Sequence, residues 1–234
     1  MPPASGEGEA INHIFYMPRA DVRLHDDWDV FGLRGTGSKS VILENVFVPE
    51  RRTSARGGFT GGNAAQSPSS EAPLYRLSQS LMYQLPGSAP AIGAAKGAYE
   101  QFIKLCKTRR PRLDGSSMLE DPLVHRRIAI AKHTIETAEM RLMSSIHEMM
   151  NAVQSGRDLT PEEHARFYWD FSRVGDDALD AGRTFFELMG AAAMYSDHPL
   201  GRFYRNLIAI RQHGTQDPDR GAILVGRAAL GLGS

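Results

Sequence analysis

Residues 199–220 read PLGRFYRNLIAIRQHGTQDPDR. Pro199 suits the first turn of a helix, and the arginines that follow lie along one side of it. The helix has a sharp stop at His213-Gly214-Thr215, and Asp217-Pro218 starts another. A His-Gly-Thr elbow between two helices puts an imidazole at a helix end. There it either complements the negative end of the dipole or turns a polar group toward a cavity. Residue chemistry alone favours capping and leaves the second reading open.

Working upstream, the same start signals recur. Thr160-Pro161-Glu162-Glu163 spells a capping box with proline at the first helical position. The helix it opens buries Phe167, Phe171, Val174, Ala178, Ala181, Phe185 and Leu188. Asp121-Pro122 starts another, with Ile128, Ile135, Leu142, Met149 and Val153 on one stripe and Lys132 and Glu136 one turn apart on the wet side. Ser88-Ala89-Pro90 starts an alanine-rich helix through Ile92, Ala95, Tyr99, Phe102 and Cys106. Three long amphipathic helices and a shorter pair predict an antiparallel bundle. Its small residues (Gly93 to Ala98, Gly182) allow close helix approach, and its methionines suit irregular packing or an interface between copies.

Ahead of the bundle the pattern changes. INHIFYMP, DVRLHD, WDVFGL and KSVILENVFVP are short β-type runs, and Arg34-Gly35-Thr36-Gly37-Ser38 is a glycine-rich turn. That turn lacks the spacing of a dinucleotide cradle. Glu44-Asn45 marks a reversal or bulge. The Gly/Ser/Ala/Pro-rich GGFTGGNAAQSPSS reads as a flexible loop, and MPPASGEGEA as a flexible leader with no signal-peptide pattern. The fold class is α+β, with β strands in 1–50, a linker loop in 51–73 and a helical bundle in 74–234.

Composition removes several function classes. The 234 residues carry 27 basic and 27 acidic side chains, with no global pull toward nucleic acid or an anionic membrane. No apolar run approaches the ~20 residues of a membrane span. One cysteine, Cys106, excludes an internal disulfide and fits a reducing cytoplasm. The histidines lack metal-ligand spacing, and no Gly-x-Ser-x-Gly elbow appears. Lys107, Arg109, Arg110 and Arg112 close the first long helix, where cations complement the dipole and arginine forks also match phosphate.

The run Trp28, Gly32, Leu33, Arg34, Gly35, Thr36, Gly37, Ser38, followed by Val46-Phe47-Val48-Pro49, resembles the end of the β domain in the acyl-CoA dehydrogenase superfamily. It is most similar to the flavin-dependent two-component monooxygenases within it, the branch of 4-hydroxyphenylacetate, secosteroid-phenol and dibenzothiophene oxygenases. HPLGRFYRN resembles that family's Pro-Leu-x-Arg-x-Tyr-Arg-Asp segment, with Asn206 in place of aspartate. Acyl-CoA dehydrogenases place a catalytic glutamate before Gly-Thr in the elbow, and here that position is His213, as in the monooxygenase branch. The resemblance covers residues 11–231. It implies a chain that starts within the middle β domain, a truncated product or fragment, whose C-terminal bundle assembles as a homotetramer.

The implied activity is that of the oxygenase component. A separate reductase supplies reduced FMN or FAD, and one atom of O2 is transferred to a phenolic or other small aromatic substrate, or to a heteroatom. Under the resemblance His213 contacts the substrate, Arg109 binds cofactor phosphate across a subunit boundary, and Arg202 and Arg205 bind the cofactor side and order the elbow. Thr36 and Ser38 hold the hairpin. The alternatives are an acyl-CoA dehydrogenase-like flavoenzyme and an inactive helical scaffold.

Overall fold

The computed structural model describes residues 13–55, 72–108 and 116–232. The leader, the centre of the linker loop and the arginines Arg109, Arg110 and Arg112 lie outside the described residues. Four short strands, β1 (His13–Phe15), β2 (Arg23–His25), β3 (Ser40–Ile42) and β4 (Thr53–Ala55), come first. The helices follow: α1 (Gln79–Met82), α2 (Leu85–Thr108), α3 (Pro122–Gln154), α4 (Pro161–Met189), α5 (Pro199–Arg211) and α6 (Pro218–Ala229). The class is α+β, dominated by the bundle. None of these helices is long and apolar enough to cross a membrane.

Helix α4 forms the axis, packed by α2, α3, α5 and α6. Its Ala165, Phe167, Phe171, Val174, Ala178, Ala181 and Phe185 are all buried and supply a broad apolar face. Charged side chains such as Arg173, Asp177, Asp180 and Arg183 pair with one another along the helix and stay partly exposed. Phe185 packs in tilted ring contacts against Phe102 of α2, with centroids 5.3 Å apart, and against Tyr99 at 5.8 Å. Gly97 of α2 leaves room for the Phe203 ring of α5, which an added Cβ would meet at 2.8 Å. Met149 and Met189 are core, whereas Met140, Met143 and Met194 are exposed.

The caps follow the sequence. Asp121 accepts from the Leu123 amide, Asp217 from the Asp219 amide, and Thr160 and Glu163 close a reciprocal box. One start lies elsewhere. Helix α2 begins at Leu85, so Pro90 sits inside it, and Ser88 is fully buried, its hydroxyl donating to the Phe171 carbonyl of α4 at 2.9 Å. A polar side chain that looked like a cap is instead a tie between two helices.

The β part also differs in detail. β1 pairs antiparallel with β4, and β2 with β3, giving two ribbons. β4 falls where the sequence suggests the start of the linker, because its partner β1 lies about forty residues upstream and no local pattern reveals it. WDVFGL is not a strand, since Leu33 adopts a left-handed φ of 55° and turns the chain onto α5. At Glu44-Asn45 the chain bends, with Asn45 at φ 54°, but the Val46–Pro49 run that follows is not a strand, so the bend does not join paired segments.

Candidate functional site

Two sequence features far apart in the chain meet along α5. The turn at Gly32-Leu33 lies against Arg205 and Ala209. A Cβ at position 32 would stand 2.7 Å from the Arg205 carbonyl carbon and 3.0 Å from the Ala209 Cβ, so only glycine allows this approach. The Leu33 amide donates to Asn206 Oδ1 at 2.9 Å, and the Leu33 carbonyl accepts from the Trp28 indole at 3.1 Å and the Thr36 hydroxyl at 2.9 Å. The Asn206 side chain therefore meets a backbone amide here. Either an amide oxygen or a carboxylate serves that contact.

Beside this turn opens a cleft of about 430 Å³ lined by Phe31, Leu33, Arg34, Ser196, Arg202 and Arg205, among others. Arg205 donates to the Ser196 carbonyl at 3.1 Å, and the Arg202 guanidinium lies 5.7 Å from the centroid of Phe203. Among the described residues neither arginine has a carboxylate within ion-pair distance, unlike Arg34 with Asp29 at 3.5 Å or Arg211 with Asp176. Two guanidinium groups at a cleft without carboxylate partners form a donor set that fits an anionic oxygen cluster.

His213 stands past the C-terminal end of α5. It does not line the cleft, and eight residues separate it from Arg205, about 12 Å at helical rise. Its ring caps, but not the helix that precedes it. Nδ1 lies 2.8 Å from the Thr215 hydroxyl and accepts from the Thr215 amide at 3.3 Å, capping the 3₁₀ turn Gly214–Gln216. With Nδ1 as acceptor, the neutral ring carries its proton on Nε2. The ring is exposed. The expected capping of the preceding helix is thus replaced by capping of the turn that follows, on a residue that is exposed.

The elbow is held from two sides. Arg211 in the last turn of α5 pairs with Asp176 of α4, which also meets Arg173 at 3.2 Å. Asp177, beside it, is pushed up by burial, and the Arg173 charge opposes that shift. Beyond the elbow, Gln216 is fully buried, although nothing in the sequence pattern singles it out. A glutamine three residues after the elbow histidine reads as surface until the packing of α2 and α4 is known. On α6, Arg220 lies 5.6 Å from the ring centroid of Tyr168, whose hydroxyl is pushed up by burial.

A second buried polar group lies within the bundle. Asp170 is nearly inaccessible and receives Ser145 Oγ at 2.6 Å and Arg141 Nε at 2.8 Å, with Arg166 at 3.8 Å. Among the described residues no group of three His, Cys, Asp or Glu side chains stands together as a metal site.

Residues 86–218 match the family model described as acyl-CoA dehydrogenase, C-terminal domain. The chain is 32% identical over 98% of its length to the flavin-dependent monooxygenase, oxygenase subunit HsaA, of Rhodococcus jostii, covering 61% of that protein. The crystal structure of 3-HSA hydroxylase from Rhodococcus sp. RHA1 superposes with a TM-score of 0.86 at 32% identity, over 97% of this chain and 59% of that one. XiaF from Streptomyces sp., solved with FADH2 and glycerol, shares the fold at a TM-score of 0.86 and 22% identity, over 98% of this chain and 58% of that one. The chain spans about three fifths of the length of these proteins.

Proposed function

The chain belongs to the acyl-CoA dehydrogenase family through its C-terminal domain, and on that premise we propose that it serves the oxygenase component of a two-component flavin-dependent monooxygenase. The substrate class is a small phenol, or an aromatic bearing an oxidisable heteroatom. A separate reductase supplies the reduced FMN or FAD, and the working assembly is a cytoplasmic homotetramer. The observation that carries this reading is the elbow. An imidazole occupies the position where the dehydrogenases need a carboxylate to remove an α-proton.

Reduced flavin, when bound, supplies the two electrons that let one atom of O2 enter the substrate and the other leave as water. The rest is the work of this chain's residues. Arg202 and Arg205 hold the anionic part of the cofactor, a role supported by their place on the cleft and by the lack of a carboxylate partner for either among the described residues. Arg109, outside the described residues, is assigned to phosphate across a subunit boundary. His213 holds a proton at Nε2 and donates it as a hydrogen bond to the substrate oxygen. This favours the phenolate and enriches the ring carbon that is attacked. Nδ1, engaged by Thr215, fixes that tautomer. Trp28, Gly32 and Leu33 brace the β turn against α5, which shapes the cleft wall.

The test is an anaerobic titration with reduced FMN and FAD, followed by air and a panel of phenols. His213→Ala is expected to retain flavin binding while hydroxylated product per flavin oxidised falls roughly 10²-fold or more, whereas Arg202→Ala and Arg205→Ala weaken flavin binding. Wild-type product yield from His213→Ala refutes the catalytic assignment. Reduction of bound flavin by an acyl-CoA thioester would favour the dehydrogenase alternative, and absence of flavin binding the scaffold alternative.

A further inference from the structure

Gln216 occupies an unusual place for a glutamine. It is 0% exposed, wedged where α2 and α4 each present a glycine. A Cβ at Gly87 would stand 2.9 Å from Gln216 Cγ, and one at Gly175 would stand 3.1 Å from Gln216 Oε1. Its Nε2 lies 3.1 Å from the Gln84 carbonyl, 3.2 Å from Ser88 Oγ and 3.3 Å from the Thr215 carbonyl. Ser88 Oγ is itself fixed on the Phe171 carbonyl of α4. The Gln216 amide N–H donates to the His213 carbonyl at 2.8 Å. One residue therefore ties the core of the bundle to both ends of the elbow.

The arrangement is costly for stability. Gln216 Oε1 is buried with no hydrogen-bond partner among the described residues, and so are both amide atoms of Gln84. An orphaned buried acceptor is destabilising, while an apolar side chain of the same length would fill the same space without the desolvation penalty. An amide kept in such a place at a loss of stability is explained if its directional bonds are needed for placement, because apolar packing fixes volume but not orientation.

We infer that Gln216 is the positioning residue of the elbow: its buried amide sets where the His213 ring stands and keeps Nδ1 on Thr215. The inference rests on the role given to His213 above only for its functional consequence; the geometric statement stands by itself. It involves no contact with substrate or cofactor.

The test uses the full chain, isotopically labelled, with Gln216→Met, which keeps length and removes the amide. Thermal midpoint, imidazole nitrogen shifts of His213, and hydrogen exchange of the Thr215 and Gln216 amides are measured together. The expected result is a midpoint equal to or above wild type, with the Nδ1 shift of His213 moved toward that of an unbonded imidazole and exchange of the two amides roughly tenfold faster. Unchanged nitrogen shift and exchange in a folded Gln216→Met protein overturns the inference. Should that variant not fold, Ser88→Ala, which removes one acceptor of Nε2, is expected to move the same two signals in the same direction, and unmoved signals again overturn it. If His213→Ala keeps full product yield, the catalytic reading fails while the nitrogen shifts still decide the positioning role.

Discussion

Replacing Gly32 by alanine tests how the β turn is attached to the bundle. The new Cβ meets the Arg205 carbonyl and Ala209, and the carbonyl belongs to a helix backbone that cannot yield locally. The turn must lift instead. Overpacking of this kind costs about 1–3 kcal/mol, and lifting also breaks the bond from the Leu33 amide to Asn206, worth about 1 kcal/mol net. The attachment is thus weakened by roughly 2–4 kcal/mol while the bundle core is untouched. Trp28 reports the event, since its indole donates to the Leu33 carbonyl. Trp169→Phe leaves it as the single tryptophan, because the chain has two. In urea, followed by Trp28 fluorescence and by far-UV circular dichroism, the Trp28 transition of Gly32→Ala should fall by roughly 1–3 M for a slope near 1.5 kcal/mol/M, or the turn should already be undocked in water. The helical transition should stay in place. Asn206→Asp, which keeps an acceptor, should resemble wild type, and Asn206→Ala should resemble Gly32→Ala. Coincident Trp28 transitions in Gly32→Ala and its parent would refute the reasoning.

Other consequences follow from the polar ties of the bundle. Asp170→Asn leaves Arg141 and Arg166 without their buried carboxylate partner and is expected to destabilise the bundle by about 3 kcal/mol in chemical denaturation. Glu163 is held down to about 2 by Arg157 and by the Thr160 amide. Its contribution is complete above the ordinary carboxylate range near 4.5 and is lost as pH falls from there toward 2, so Glu163→Gln should flatten the acid limb of stability over that window. His164 bonds the hydroxyls of Ser78 and Ser80 at 3.1 and 3.0 Å and is held below its ordinary 6.5 by burial. The unfolded chain then binds the proton first, so stability falls as pH drops below about 6.5. His164→Gln should remove that part of the decline in urea midpoints measured from pH 7.5 to 5.

Much of the bundle is legible in the sequence because its signals are local. Asp121-Pro122, Thr160-Pro161 and Asp217-Pro218 each cap within three residues, and the apolar stripes repeat at helical spacing. The β segment is less legible. β4 has its partner β1 far upstream, and WDVFGL bends only because α5 supplies Asn206 and a backbone surface for Gly32. Ser88 shows the same limit at a helix start, where a hydroxyl suited to capping is consumed by a tie to α4. At the site, His213 is marked by its elbow and Arg202 and Arg205 by their segment. The separation of the cleft from the elbow along α5, and the burial of Gln216, depend on tertiary packing that no spacing encodes.

The bond between Leu33 and Asn206 joins residues 173 apart in the chain. On a ribosome adding about 5–20 residues per second, the Gly32-Leu33 turn emerges roughly 10–35 s before its acceptor exists. During that interval the Leu33 amide lacks the Asn206 side chain that it bonds in the finished chain. Attachment of the Gly32-Leu33 turn is therefore a late event of synthesis, completed only once the Asn206 segment of α5 has been added.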